Sequence, residues 1–267
     1  MTEAAVTTPG LLKDKVVLIS GVGPGLGREI AVRAATAGAD VVLAARTETT
    51  LKTVAAEVEA TGRRALAVPT DITDDTARRA LADLAVEAFG RLDVLVANAF
   101  AVPAMTDLTT LDLDALRTAL ETDVFATLRL VQLLAPALAD HHGSIVMISS
   151  GVVHHSRPNF GAYKMSKSAL RSLGSSLATE LGPRGVRVNT VVPNYIWTDA
   201  LKGWFQYQAT ERGVPLEQIY AETAADFDLR RLPEPGEVAN AALFLASDLA
   251  GAITGQSLNV DAGEFHS

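Results

Sequence analysis

Short runs of apolar residues alternate along the chain with longer stretches in which apolar residues recur every three or four positions. The short runs are rich in Val, Ile and Leu, which is typical of strands buried on both faces of a sheet. We predict seven strands, over residues 15–20, 41–45, 65–68, 92–97, 144–149, 186–192 and 256–260. The longer stretches predict helices over residues 25–37, 49–60, 74–89, 112–140, 160–181 and 237–246.

This regular alternation predicts the fold class. Parallel strands need crossover connections, and the predicted helices can supply them. We therefore expect an α/β, single-domain Rossmann fold. Its centre would be a doubly wound parallel sheet of about seven strands, with helices on both faces. Residues 1–13 show no such pattern and are predicted to be a flexible tail before one domain at 14–267. Residues 195–230 have no clear period and are predicted to be irregular.

Composition narrows the range of partners and compartments. The 267 residues carry a formal net charge of −8 and no run of Lys or Arg, so neither nucleic acid nor a membrane is an expected partner. The absence of cysteine excludes disulfides and thiolate sites, and no His/Asp/Glu spacing predicts a metal site. Because the sequence shows neither a signal peptide nor a run of about 18 apolar residues, we expect a cytoplasmic protein.

A glycine-rich turn, Gly-Val-Gly-Pro-Gly-Leu-Gly at residues 21–27, lies between the first predicted strand and helix. Glycines there let backbone N–H groups approach a pyrophosphate, and the helix N-terminus favours its charge. The spacing is GxxxGxG rather than GxGxxG, and the alternative is a simple tight turn. We predict a dinucleotide site to which this turn contributes Gly21, Gly23, Gly25, Leu26 and Gly27.

Arg46 follows the second predicted strand, where dinucleotide-binding folds usually carry an acid that binds the ribose 2′-hydroxyl. An arginine at this place accommodates a 2′-phosphate. We therefore expect NADP to be the preferred cofactor, with NAD possible. The alternative is that Arg46 is an ordinary solvated surface residue.

Tyr163 and Lys167 are four residues apart in a predicted helix, so their side chains share one face. A tyrosine with a pKa of about 10 is a poor acid or base at neutral pH, and a nearby ammonium group lowers that pKa. Ser150 follows the fifth predicted strand, at the sheet edge where ligands bind in open α/β sheets. Such a pair is usually surface decoration when alone, but beside Ser150 it predicts proton-transfer chemistry.

The sequence resembles the short-chain dehydrogenase/reductase family from about residue 13 to residue 263. The resemblance rests on motifs in the family's order: the glycine turn, Asp71, Asn98-Ala99, Ser150, Tyr163 with Lys167, and Pro193 with Thr198. It implies hydride transfer between a dinucleotide and a carbonyl carbon. Tyr163 would be the general acid or base, Lys167 would lower its pKa and bind the nicotinamide ribose, and Ser150 would hold the substrate oxygen. The resemblance places further residues at the cofactor: Asp71, Ile72, Asn98, Pro193, Ile196 and Thr198.

Four residues depart from the family's pattern. Phe100 and Asn194 stand where glycines are usual, and Pro24 stands where NADP-preferring members often carry a basic residue. Asp123 takes the place of an Asn that, in the family, helps to organise a proton relay to the lysine. We count Asp123 as a catalytic candidate that either pairs with Lys167 through water and holds it protonated, or disturbs the relay. The hypothesis is retained activity with a shifted pH optimum.

The resemblance places a substrate lid at about residues 195–227, a segment that holds about half of the aromatic residues of the chain. We expect a small hydrophobic substrate there, with Trp197, Trp204 and His154 as candidate contacts. The alternative is a helical pair that packs its aromatic side chains into the core or into an oligomer interface. The resemblance also implies a homotetramer or homodimer.

The predicted function is therefore NAD(P)-dependent oxidation and reduction between a hydrophobic ketone and a secondary alcohol. A reductase of 3-oxoacyl thioesters is an alternative, although the charge of −8 suggests no basic patch for an acidic carrier. A second alternative, suggested by Asp123 and Phe100, is a dinucleotide-binding regulatory protein with impaired catalysis. A third is a lyase or epimerase that uses the dinucleotide transiently.

Overall fold

Seven parallel strands form a single sheet at the centre of the molecule, described by a computed structural model for residues 10–103 and 105–266. The strand order is β3-β2-β1-β4-β5-β6-β7, so β1 lies between β2 and β4. This order confirms the predicted doubly wound parallel sheet. The strands are β1 (Val16–Ser20), β2 (Asp40–Ala45), β3 (Ala65–Pro69), β4 (Val94–Ala97), β5 (Ser144–Ile148), β6 (Arg187–Pro193) and β7 (Ser257–Val260).

Helices cover both faces of this sheet, as predicted. One face packs against α1, α2 and α9, and the other against α3, α5 and α6, each over its own apolar core. The side chains of successive strand residues enter opposite cores, with Ile19 in the first and Leu18 in the second. The helices are α1 (Leu26–Thr36), α2 (Glu48–Glu59), α3 (Asp75–Phe89), α4 (Leu113–Leu120), α5 (Ala126–Asp140), α6 (Gly161–Leu181), α7 (Asp199–Arg212), α8 (Leu216–Ala224) and α9 (Pro235–Ala246).

The long helix predicted at 112–140 contains a π-helical turn, Glu121–Phe125, between α4 and α5. Asp123 lies in this turn and is fully buried. Such turns are rare and often occur at functional sites. By length and composition alone the run Leu113–Asp140 could cross a membrane, but this is weak support for a span because core helices pass the same test and Leu130 and Leu134 are buried here.

The prediction that residues 195–230 are irregular is wrong, because they contain the helices α7 and α8. The Thr198 side chain caps α7 by accepting a hydrogen bond from the Leu201 N–H, and Gly213 ends the helix in a left-handed conformation. Aromatic and aliphatic side chains from the pair form a third, smaller core with Phe205, Ile219 and Phe227 at its centre. Local packing on this core outweighs the weak periodicity of the segment.

The predicted tail at residues 1–13 also needs correction within its described part. Residues 10–14 form a turn in which the Leu12 side chain is fully buried and the Leu12 N–H donates to the Ala37 carbonyl at 2.9 Å. The packed domain therefore includes residues 10–13. Residues 1–9 lie outside the described part of the chain.

Candidate active site

The glycine turn lies at the carboxyl end of β1, beside the carboxyl end of β4. Gly21 adopts a φ of +82°, and a Cβ there would clash with the backbone N–H of Ala99. A Cβ at Gly27 would lie 2.5 Å from the Gly21 carbonyl oxygen. The Asn98 side chain fixes the turn by donating to that carbonyl at 2.7 Å. Gly21 and Gly27 are therefore required by the packing of the turn itself.

Gly23 and Gly25 differ from these two glycines because a side chain at either position would find space in the protein. A Cβ at Gly23 would have no described heavy atom within 4 Å, and one at Gly25 would only approach the Thr198 methyl group, at 3.3 Å. Helix α1 begins directly after Gly25, and none of the described side chains caps its first N–H groups. Open space, unhindered N–H groups and the positive end of a helix fit a bound pyrophosphate.

Ser150 and Tyr163 meet at the carboxyl end of β5. Ser150 begins a short 3-10 turn, Gly151–His154, and its hydroxyl is hydrogen-bonded to the Tyr163 phenol. Burial raises the pKa of Tyr163 to about 12, and the hydrogen bond from Ser150 offsets only part of this effect. The negative charge of Asp123 raises the pKa further. At this pKa Tyr163 is a protonated phenol at neutral pH, and the role of Lys167 in lowering the pKa stays a prediction.

Lys167 and Asp123 form a buried ion pair below Tyr163. The Lys167 ammonium lies 3.5 Å from the Asp123 carboxylate, and the two side chains are 2% and 0% exposed. Burial lowers the pKa of Lys167, and the charge and hydrogen bond of Asp123 oppose that shift. Asp123 also accepts hydrogen bonds from the Ala101 N–H and the Ser166 hydroxyl, each at 2.9 Å. Asp123 thus contacts Lys167 directly rather than through the predicted water.

A continuous cavity of about 680 Å³ joins the glycine turn to this group. Ser150, Tyr163 and Lys167 line it at one end, and Gly23 and Gly25 line it at the other. The predicted cofactor residues that line this cavity are Gly21, Gly23, Gly25, Leu26, Gly27, Asn98, Tyr163, Lys167, Pro193, Ile196 and Thr198. The cavity therefore brings the phosphate-binding geometry and the proton-transfer group into one site.

Comparison with known proteins identifies the family. A family model described as "Enoyl-(Acyl carrier protein) reductase" matches residues 21–264. The chain is 36% identical over 254 residues to the 7alpha-hydroxysteroid dehydrogenase of Escherichia coli (strain K12), with 94% of each chain covered. It is 34% identical to an L-rhamnose 1-dehydrogenase (NAD(P)(+)) of Sphingomonas sp., with 96% and 98% covered. The chain belongs to the short-chain dehydrogenase/reductase family.

Solved structures agree with this identification. A 7 alpha-hydroxysteroid dehydrogenase complexed with NADH and 7-oxo glycochenodeoxycholic acid matches with a TM-score of 0.86 at 35% identity, over 95% of this chain and 96% of that chain. Carveol dehydrogenase from Mycobacterium avium in complex with NAD matches with a TM-score of 0.89 at 30% identity, over 96% and 99%. The chain is therefore a single-domain member of an oxidoreductase family.

Three predicted cofactor residues of this dehydrogenase/reductase lie outside the cavity lining. Arg46 and Asp71 are exposed beyond the carboxyl ends of β2 and β3, close enough that the charge of Arg46 contributes to lowering the pKa of Asp71. The main cause of that shift is a pair of hydrogen bonds that Asp71 accepts from Thr73. Ile72 follows Asp71 and packs beside the second core. These positions suit the adenosine end of an extended dinucleotide.

Of the three candidate substrate contacts, Trp197 lines the cavity, whereas His154 and Trp204 are absent from the described lining. His154 instead shares a hydrogen bond with Asn259 and packs on Phe265 in a tilted arrangement. Trp204 is 53% exposed on the outer face of α7, where it stacks on Tyr207. Neither residue points to the substrate end, because each has a partner elsewhere.

The structure also brings residues to the site that sequence reasoning did not assign. Phe100 lines the cavity, and its ring centroid lies 5.3 Å from the Lys167 ammonium. Asn194 and Tyr195 line the substrate end. The departures from glycine at 100 and 194 could have predicted these cavity residues. A side chain at a position where the family usually has none must occupy space in the cleft.

Proposed function

We propose that this protein is an NADP-preferring oxidoreductase that interconverts a hydrophobic ketone and a secondary alcohol. The observation that carries the proposal is the convergence of Ser150, Tyr163 and Lys167 on the cavity that also holds the glycine turn. A phosphate-binding turn alone would suit any dinucleotide protein. Its connection to a half-buried phenol and a buried ammonium favours a reductase over a regulatory binder.

The chain's own groups supply positioning and proton transfer. Gly23, Gly25 and the N-terminus of α1 would hold the pyrophosphate, and Thr198 would border the nicotinamide end. When bound, the cofactor supplies or accepts the hydride. Ser150 would donate a hydrogen bond to the substrate oxygen. Tyr163, protonated because burial raises its pKa, would deliver its proton to that oxygen during reduction.

Asp123 and Lys167 set the electrostatics beneath the phenol. A buried ammonium without a partner would lose its proton, so the carboxylate at 3.5 Å favours the charged lysine. The same carboxylate opposes formation of the phenolate at Tyr163. The Asp123 carboxylate therefore favours the protonated phenol, which is the form needed to reduce a ketone.

Support for NADP comes from Arg46, which is exposed just after the end of β2. The first acidic residue after that strand is Glu48, two positions further on. Its guanidinium suits a 2′-phosphate, which accepts two parallel hydrogen bonds. Support for an apolar substrate comes from Phe100, Tyr195 and Trp197 around the reacting end. A homodimer or homotetramer stays a prediction that rests on the family resemblance, and a cytoplasmic location stays a prediction from the sequence alone.

The proposal is tested by mixing the purified protein with NADPH and a panel of ketones while following the absorbance of the reduced nicotinamide. We expect turnover with apolar ketones and little with sugars. An enoyl or 3-oxoacyl thioester belongs in the panel because of the description of the matching family model. Tight binding of NADPH without turnover of any acceptor would favour the regulatory alternative, and exclusive turnover of thioesters would replace the ketone assignment.

A further inference from the structure

The last described residues of the chain pack against the substrate end of the cavity. Asp261 fixes their path by accepting hydrogen bonds from the N–H groups of Gly263, at 3.0 Å, and Phe265, at 3.1 Å. The Phe265 ring then stacks on His155 and packs at a tilt on His154, in the loop that follows Ser150. The C-terminal segment, defined here as residues 261–266, thus lies against the loop that carries a proposed catalytic hydroxyl.

Glu264 is the central residue of this segment. Its carboxylate is only 5% exposed, which is costly for a charge unless donors surround it. The Asn194 amide donates to one carboxylate oxygen, and Arg157 lies 3.4 Å from the other. Arg157 also donates to the Tyr195 hydroxyl at 3.0 Å. Glu264 therefore connects two adjacent residues of the cavity wall, one directly and one through Arg157.

These two wall residues are tightly constrained. Asn194 packs against the residue after Ser150, since a Cβ on Gly151 would lie 2.7 Å from the Asn194 Cβ. Tyr195 adopts a φ of +44°, a left-handed backbone conformation that residues other than glycine rarely adopt. Its ring packs on Phe205 and Phe227 of the small core beneath α7 and α8. Such a conformation persists only when surrounding contacts hold it.

We propose that Glu264 is a positioning residue that sets the shape of the substrate end by holding Asn194 and, through Arg157, Tyr195. The inference rests on the proposed function for its effect on substrates. Asn194 stands where the family usually has glycine, so the side chain that Glu264 binds is a departure from the family's pattern. Glu264 acts on the fit of the substrate, while the glycine turn that binds the dinucleotide lies at the far end of the cavity.

The test compares Glu264→Ala, Glu264→Gln and Asn194→Gly with Glu59→Gln, an exposed acid at the end of α2, as the matched control. For an apolar ketone we expect Glu264→Ala to raise KM about tenfold, with kcat changed less than about twofold and the Kd of NADPH raised clearly less than KM. Glu264→Gln keeps an acceptor for Asn194, so its KM should lie between that of the wild type and that of Glu264→Ala. The KM of the double variant Glu264→Ala/Asn194→Gly should be no higher than that of the single variant with the higher KM, because both substitutions remove the contact between Glu264 and Asn194.

Hydrogen exchange gives a readout that needs no substrate. Peptides covering residues 193–198 should exchange faster in Glu264→Ala than in the wild type or in Glu59→Gln. Unchanged exchange and unchanged KM would overturn the proposal, as would additive effects in the double variant or a parallel rise in the Kd of NADPH. A wild type that turns over no ketone would refute the proposed function instead, and the exchange measurement would still decide whether Glu264 holds residues 194 and 195.

Discussion

The two ends of the cavity are built in different ways. At the glycine turn the shape comes from backbone: Gly21 has a positive φ, Gly27 lies against a carbonyl oxygen, and one side chain, Asn98, ties the turn to β4. At the substrate end the shape comes from side chains, with Glu264 bound to Asn194 and the Tyr195 ring on a small aromatic core. A backbone-built site accepts one kind of ligand across many relatives, whereas a wall of side chains can change from protein to protein.

The strongest test of this contrast uses two glycines of the same turn. Gly21→Ala forces a side chain into the backbone of Ala99 at a φ of +82°, so we expect a loss of about 2–4 kcal/mol in the free energy of unfolding. Gly23→Ala meets no described atom within 4 Å and should leave stability within about 0.5 kcal/mol. It should nevertheless weaken NADPH binding, because its methyl group projects into the cavity. Chemical denaturation and titration with NADPH measure both effects.

A result in which both variants are equally stable would mean that the turn is not fixed by its backbone. If Gly23→Ala bound NADPH as tightly as the wild type, the pyrophosphate would not lie against this face of the turn.

Arg46 is the one side chain at the cofactor end that we expect to decide selectivity. Arg46→Asp removes a donor for the 2′-phosphate and adds an acid that can bind a 2′-hydroxyl. The ratio of kcat/KM for NADPH over NADH should fall about 10–100-fold, which corresponds to one or two charged hydrogen bonds. The matched control is Arg79→Asp, on the exposed part of α3, which should leave the ratio unchanged. Equal ratios in wild type and Arg46→Asp would remove the basis for NADP.

Asp123 lies against Lys167 at the proton-transfer end of the cavity, and we expect its effect to be smaller and to appear in the pH profile. Its charge raises the pKa of Tyr163 and supports the charged form of Lys167. Asp123→Asn keeps an oxygen to accept from Ala101 but removes the charge, so the pKa of Tyr163 and that of Lys167 should both fall. Because reduction needs the protonated phenol, the alkaline decline of kcat should move to lower pH. Profiles of wild type and Asp123→Asn that superimpose would contradict this role.

The fold could be predicted almost entirely because its strands and helices have strong periods. The sheet, its helices on both faces and the alignment of Ser150, Tyr163 and Lys167 at one edge follow from the order of elements and from spacing. The π-helical turn at Asp123 could not be predicted, since its residues continue a helical pattern. Helices α7 and α8 were missed because their apolar residues pack on each other rather than on the sheet.

The substrate end was the least predictable part of the site. Glu264 lies 70 positions from Asn194 in the chain, and no local pattern marks either residue as the partner of the other. His154 and Trp204 were chosen for their position in sequence and their aromatic character, and the structure gives both of them other partners. Contacts between distant loops depend on the whole fold and cannot be derived from short-range spacing.

The most direct test follows the hydride with a deuterium label and removes the proposed proton donor by substitution. Wild type and Tyr163→Phe are mixed with NADPH that carries deuterium at the transferred position and with an apolar ketone. We predict deuterium on the carbinol carbon of the product in the wild type, and in Tyr163→Phe a loss of about 100-fold or more in kcat with a much smaller change in the Kd for NADPH. Product without deuterium, or a Tyr163→Phe variant that turns over at the wild-type rate, would contradict the proposed chemistry at this site.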